Sequence, residues 1–255
     1  MDKNTPIEYF NHSNILLYNE DCIQTMKRIP DGSIDLMLTD IPYGVTKHDW
    51  DIKPNLDLMW NHWDRILKKN GVWIFTATQP LTSEIVLSKL NYFKYELIWD
   101  KKMTSNPALA KIQPLRSHET ILIFYRIQPT YNPIMRDNVK SPFGKKNHTT
   151  SKISGNLGND YLTGVGYPKT IIEFPRQNNL NNGNLHPSQK PLDLMRYLIL
   201  TYTNQGDIVF DGYSGSGTTA EACIIENRKF IGSELNKEYY DISIKRLKNT
   251  MQPLF

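Results

Sequence analysis

One stretch near the C-terminus constrains the fold more than any other. Gly206-Asp207-Ile208-Val209-Phe210 reads as a strand, and Asp211-Gly212-Tyr213-Ser214-Gly215-Ser216-Gly217 as a glycine-rich turn. Thr218 to Glu226 reads as a helix, and Lys229-Phe230-Ile231-Gly232 as a second strand. Glycines in such a turn permit a tight bend and let a ligand approach the backbone. The second strand ends in Glu234, 17 residues after Gly217, where an acid can accept hydrogen bonds from ribose hydroxyls. This is the pattern of a nucleoside-binding βαβ unit. No Gly-Lys-Ser/Thr follows, so it is not a P-loop. Nicotinamide dinucleotides and S-adenosylmethionine both use such a unit, and the spacing does not separate them.

The rest of the chain extends the alternation. Asn14 to Tyr18, Ser33 to Thr39, Val72 to Phe75 and Tyr95 to Trp99 read as strands. Leu56, Met59, Trp60, Trp63 and Leu67 fall at helical spacing, with Lys68-Lys69-Asn70-Gly71 as the helix end, and Leu81 to Leu90 as a further helix. Pro191 suits the first turn of another helix, and Asn236 caps the last one, running through Leu247. Alternation of this kind predicts an α/β fold with a doubly wound, mostly parallel sheet. Beyond the strand Thr120 to Tyr125, periodicity fades and prolines and an Asn-rich run take over. We expect one catalytic domain from residues 1–127 and 186–255, carrying a loop-rich insertion at 128–185.

Charge sets the middle apart. From Lys101 to Lys190 there are 13 Lys or Arg against four acids, although the whole chain is only +4. A solvated loop region and a phosphate-facing patch would both show this bias. No run of apolar residues is long enough to span a membrane, the N-terminus has no signal-peptide core, and Cys22 and Cys223 suit neither a metal pair nor a disulfide framework. A cytoplasmic protein is expected, with no metal and no membrane partner.

A second motif decides between the ligands. A strand ends in Thr39-Asp40-Ile41-Pro42-Tyr43-Gly44, and Pro42 stiffens that corner. It puts a carboxylate, a carbonyl and an aromatic ring at the edge where open α/β sheets bind ligands. Alone it would be an ordinary turn. Combined with the glycine loop, the chain resembles the β-class DNA amino-methyltransferases, which modify adenine at N6 or cytosine at N4. The order of parts is that of the class, with the corner first, the basic insertion next and the glycine loop last. Tyr18-Asn19-Glu20-Asp21-Cys22, Ser117-His118-Glu119-Thr120, His186-Pro187-Ser188-Gln189-Lys190-Pro191 and Phe230-Ile231-Gly232-Ser233-Glu234-Leu235 carry the resemblance along nearly the whole chain.

The resemblance implies a Rossmann-like, circularly permuted class I methyltransferase with S-adenosylmethionine as cofactor and double-stranded DNA as substrate. Asp40 and the Ile41 carbonyl would hold the target amino group, Pro42 would stiffen the corner, and Tyr43 would stack on a flipped base. The backbone of Asp211, Gly212, Tyr213, Ser214 and Gly215, with Thr218, would face the methionine portion of the cofactor. Glu234 with Leu235 would bind the ribose, and Asp21 with Cys22 the adenine. Ser188 and Lys190 would lie near the cofactor carboxylate. Lys140, Lys145, Lys146 and Lys152 are candidate phosphate contacts, and His48 and Trp50 could line the cleft. His118-Glu119 receives no role. Related enzymes are often homodimers, and some act beside a cognate restriction endonuclease. The family usually has Pro where this chain has Ile41. Its usual Ser at the corner in cytosine enzymes makes Asp40 favour adenine. Rival readings are a cytosine-N4 enzyme, a protein-glutamine or RNA methyltransferase, a nicotinamide-dependent dehydrogenase, and an inactive DNA-binding homologue.

Overall fold

A computed structural model describes residues 8–43, 53–139, 164–175 and 189–251. They fall into two compact units, Met1–Asn132 with Thr170–Phe255, and Pro133–Lys169. Among the described residues the strands are β1 (Tyr9–His12), β2 (Ile15–Tyr18), β3 (Ile34–Thr39), β4 (Leu67–Ala77), β5 (Phe93–Ser105), β6 (Arg116–Tyr125), β7 (Arg136–Val139), β8 (Gly164–Gly166), β9 (Ile171–Glu173), β10 (Ile208–Asp211) and β11 (Lys229–Ser233). The α-helices are α1 (Cys22–Arg28), α2 (Leu56–Ile66), α3 (Leu81–Ser88), α4 (Leu192–Tyr202), α5 (Thr218–Ile225) and α6 (Lys237–Met251).

The larger unit is built on a nine-stranded sheet of order β1-β2-β11-β10-β3-β4-β6-β5-β9. Its centre, β2 through β4, is parallel, and β6 runs antiparallel to both neighbours. The fold is therefore α/β, doubly wound and mostly parallel, as expected. Central strands such as Leu36-Met37-Leu38 and Val72-Trp73-Ile74-Phe75 are apolar without a break because both faces are covered. Alternation then sorts the side chains. Leu36, Leu38, Val72 and Ile74 pack with Leu198 of α4 and Ala220 of α5. Met37, Trp73 and Phe75 pack with Met26 of α1, Trp60 and Trp63 of α2, and Ile85 of α3.

From β3 the chain moves to β4 on one side, and from β10 to β11 on the other. The strand order thus reverses between β3 and β10, and a crevice opens beyond their carboxyl ends. That crevice receives both sequence motifs.

Three elements differ from the sequence reading. Lys68 to Gly71 do not close a helix with a loop. Leu67 already pairs with Ile34, and Lys68 Nζ reaches Asp35 Oδ1 at 2.7 Å, so β4 starts directly where α2 ends. β6 begins at Arg116, so His118 and Glu119 stand within a strand, paired with Asp100 and Trp99. An unforeseen hairpin adds β1 to β2 at the sheet edge, turning at Ser13, whose φ is 53°.

The smaller unit holds the antiparallel pair β7 and β8, with Arg136 Nε donating to the Tyr167 carbonyl at 3.0 Å. It lies inside the stretch read as an insertion. β9, from the same stretch, is instead parallel to β5 in the main sheet.

Candidate active site

A cavity of about 640 Å³ occupies the crevice. The loops after β2, β3, β10 and β11 all contribute to it, which is why residues more than 200 positions apart can face one ligand. Asp21, Cys22, Lys190, Asp211, Gly212, Tyr213, Ser214, Gly215, Thr218, Glu234 and Leu235 line it, as do Asp40, Ile41, Pro42 and Tyr43. Ser188, Lys140, Lys145, Lys146, Lys152, His48 and Trp50 lie outside the described residues.

Beside the glycine turn, two carboxyls, Asp211 buried and Glu234 half-buried, have different jobs. Asp211 is a structural hub. Its Oδ1 accepts from Thr39 Oγ1 at 2.9 Å and from Tyr213 N at 3.1 Å, and its Oδ2 accepts from Thr219 Oγ1 at 2.7 Å. It ties β3, β10 and α5 together, and burial pushes its carboxyl up to about 6. Glu234 is held by backbone amides. Its Oε2 accepts from Gly215 N and its Oε1 from Asn236 N, both at 2.8 Å. Each oxygen keeps acceptor capacity for a ligand, and burial pushes this carboxyl up to about 7.

The glycines stand where neighbouring side chains press against the backbone. A Cβ on Gly212 would sit 3.0 Å from Cys22 Cβ, and one on Gly232 would sit 2.7 Å from Ser214 Oγ. Gly217, at φ 80°, precedes α5 with Ser243 Cβ 2.7 Å from where its own Cβ would be. Asp21 caps α1 through Oδ1, which accepts from Ile23 N at 2.8 Å, while Asn236 caps α6. Burial, despite a hydrogen bond with Tyr213, pushes the Cys22 thiol up to about 12, so it is no nucleophile at neutral pH.

At the corner, Asp40 Oδ1 accepts from the Tyr43 hydroxyl at 2.9 Å and from the Thr76 hydroxyl. Its Oδ2 accepts from Lys190 Nζ. Lys190 also stands 3.4 Å from Glu119 Oε2, and Glu119 Oε1 is 3.3 Å from Lys101 Nζ. Burial opposes the charge on Lys190, but Asp40 and Glu119 outweigh it and hold its ammonium well above the usual lysine range. Burial likewise opposes the Glu119 charge, and Lys190 and Lys101 outweigh it, lowering that carboxyl. Ile41 is fully buried, packed in the cluster that includes Met59 and Trp63. Packing thus holds Ile41 in place beside Pro42.

Residues 34–245 match the family model of the N6/N4 DNA methylases. The chain belongs to that family. Its chemistry is that of a DNA methyltransferase, and the relatives agree. The DNA adenine methyltransferase YhdJ of Escherichia coli is 28% identical, over 95% of this chain and 85% of its own length. The type II methyltransferase M.BglII of Bacillus subtilis is 30% identical, over 91% of this chain and 68% of its own. The fold matches the PvuII cytosine-N4-specific DNA methyltransferase with a TM-score of 0.67 at 17% identity, covering 94% of this chain and 92% of that one. It matches the M1.HpyAVI structure with S-adenosylmethionine with a TM-score of 0.63 at 22% identity, covering 91% and 98%.

In this methylase several site residues escaped the sequence reading. Thr39 precedes Asp40 and was passed over as strand. Thr76 sits on β4, 36 residues away, with no local signal. Glu119 was singled out but left without a role, since nothing in the sequence places it behind Lys190.

Proposed function

We propose that this DNA methyltransferase transfers the methyl group of S-adenosylmethionine to N6 of adenine, after flipping the base out of the duplex. The observation that carries this reading is the shared cavity: the Asp40 corner and the Glu234 ribose site open into one space at the switch point. The cavity wall fits such a cofactor. Glu20, Asp21, Asp40, Asp211 and Glu234 line it, which suits a cationic sulfonium and a ribose diol. Among the described lining residues the one lysine, Lys190, is already engaged by Asp40 and Glu119. When bound, the cofactor supplies an electrophilic methyl group.

The chain supplies position and field. An adenine amino group is a weak nucleophile, because its lone pair is delocalised into the ring. Asp40 and the Ile41 carbonyl each take one of its N–H bonds, favouring a pyramidal nitrogen whose lone pair points at the methyl carbon. Orientation and electrostatics would supply the rate of an in-line transfer in which the methyl–sulfur bond breaks to a neutral thioether as the nitrogen–carbon bond forms and the amino group loses one proton to solvent, with no covalent enzyme intermediate. Flipping costs roughly a few kcal/mol. Stacking on Tyr43, worth about 1–3 kcal/mol, offsets part of it. The stretch around the Pro133–Lys169 unit would carry target recognition, with Lys140, Lys145, Lys146 and Lys152 on phosphates.

Adenine is favoured over cytosine by Asp40, an acid where cytosine enzymes of the class tend to carry serine, and by the similarity to a relative named as an adenine enzyme. The deciding experiment is methylation of diverse unmethylated DNA, followed by nucleoside mass spectrometry. N6-methyladenine is expected. N4-methylcytosine would overturn the choice of base and leave the reaction type standing.

A further inference from the structure

The Asp40 carboxylate has about four acceptor directions, two on each oxygen. Tyr43 and Thr76 take both directions on Oδ1, and Lys190 takes one on Oδ2. Among the described residues, a single direction remains, on Oδ2. Lys190 reaches this place from the segment before α4, 150 residues along the chain, and its side chain is 9% exposed.

Glu119 stands behind it. Among the described residues its buried Oε2 has no hydrogen-bond partner, and the Lys190 ammonium stands 3.4 Å from it. Beyond it, Lys101 closes an alternating row: Asp40, Lys190, Glu119, Lys101. A row of charges with two buried lysines is a poor way to stabilise a fold, since apolar side chains of similar volume do as well or better. This row ends on the carboxylate that faces the cavity. The Lys190 ammonium also lies 5.9 Å from the Tyr43 ring centroid, so one cation meets both side chains of the corner.

We propose that Lys190, steered by Glu119, is a positioning residue for methyl transfer. It fixes the Asp40 carboxylate so that the one remaining acceptor direction, on Oδ2, meets the target amino group. This differs from the place near the cofactor carboxylate that the resemblance implies for Lys190. It rests on the Asp40 corner as the transfer site, but not on which base is methylated.

The test compares single-turnover rates, at saturating S-adenosylmethionine and DNA, with cofactor affinity measured separately by calorimetry. For Lys190→Met the rate should fall about a hundredfold, the scale of a reactant misplaced by an ångström, with cofactor Kd changed less than about threefold. Glu119→Gln, which keeps the side-chain shape, should lower the rate at least about tenfold at unchanged Kd. The double variant should be no slower than Lys190→Met, because the two residues act through one contact. A loss of cofactor affinity with a normal rate at saturation would overturn the proposal and return Lys190 to the cofactor. Multiplying effects in the double variant would also overturn it. Asp40→Ala separates the two levels. If that variant keeps the wild-type rate, the corner reading itself fails. If it is inactive while Lys190→Met is unimpaired, only the role of Lys190 fails.

Discussion

The proposed ribose contact of Glu234 makes nucleoside binding depend on pH. Its carboxyl is pushed up to about 7 by burial, and both oxygens already accept backbone amides. A proton on either oxygen competes with those amides and removes the anionic acceptor that a ribose diol requires. Only the ionised form should bind well. With a midpoint of about 7, that form makes up about a tenth of the protein at pH 6 and nearly all of it at pH 8.5. Affinity should therefore fall about tenfold across that range, or about 1.4 kcal/mol. The probe should be 5′-methylthioadenosine, which keeps the ribose and lacks the titrating amine of the full cofactor. Calorimetry in buffers of different ionisation enthalpy should show proton release on binding near pH 6.5. Glu234→Gln should bind more weakly at pH 8.5 and show no such pH dependence. A wild-type affinity that is flat from pH 6 to 8.5, or a slope that survives in Glu234→Gln, would refute the reasoning. Asp211 titrates at about 6, so the comparison is cleanest from pH 6.5 upward.

Asp40→Ala should abolish transfer while leaving cofactor affinity within a few fold, as read by labelled methyl incorporation and calorimetry; equal loss of both would make Asp40 a pocket residue. Glu234 and Asp211 bind their protons more tightly in the folded state than in the unfolded chain. The stability this brings is complete below the ordinary carboxylate range and is lost as pH rises through about 6 and about 7. Urea melts of the cofactor-free protein between pH 5.5 and 8 should show that decline, and Glu234→Gln should flatten it. Gly217→Ala meets both a φ of 80° and the Ser243 Cβ at 2.7 Å, and should cost about 1–3 kcal/mol in the same melts. Neutralising Lys145 and Lys146 together should weaken DNA binding and lower its salt slope by about 2; an unchanged slope would remove them from the interface.

Periodicity and punctuation are local properties, and they were enough for much of this protein. Unbroken apolar runs announced central strands, because a strand covered on both faces has no polar side to show. The turn from Asp211 to Gly217 and the acid of Glu234 were legible because a βαβ unit folds its binding residues within one short stretch. Local signals failed where a strand's length depends on its neighbour. β6 extends back to Arg116 because β5 is there to pair with it, so Glu119 became a strand residue beside the site.

The sequence by itself determined the parts: two motifs, the alternation that builds a sheet between them, and a basic stretch interrupting it. Only the tertiary structure decided their company. β3 and β10 are adjacent because the sheet reverses its strand order there. That adjacency ties Thr39 to Asp211 and brings the Asp40 corner into the cavity that Glu234 lines. Asp40, Thr76, Glu119 and Lys190 are scattered over 150 residues, yet one contact network joins them. Electrostatic partners are chosen by distance in space, and a single sequence does not record distance in space. Lys190 shows this: the resemblance implies a place near the cofactor carboxylate, and only the fold shows its ammonium engaged by Asp40 and Glu119.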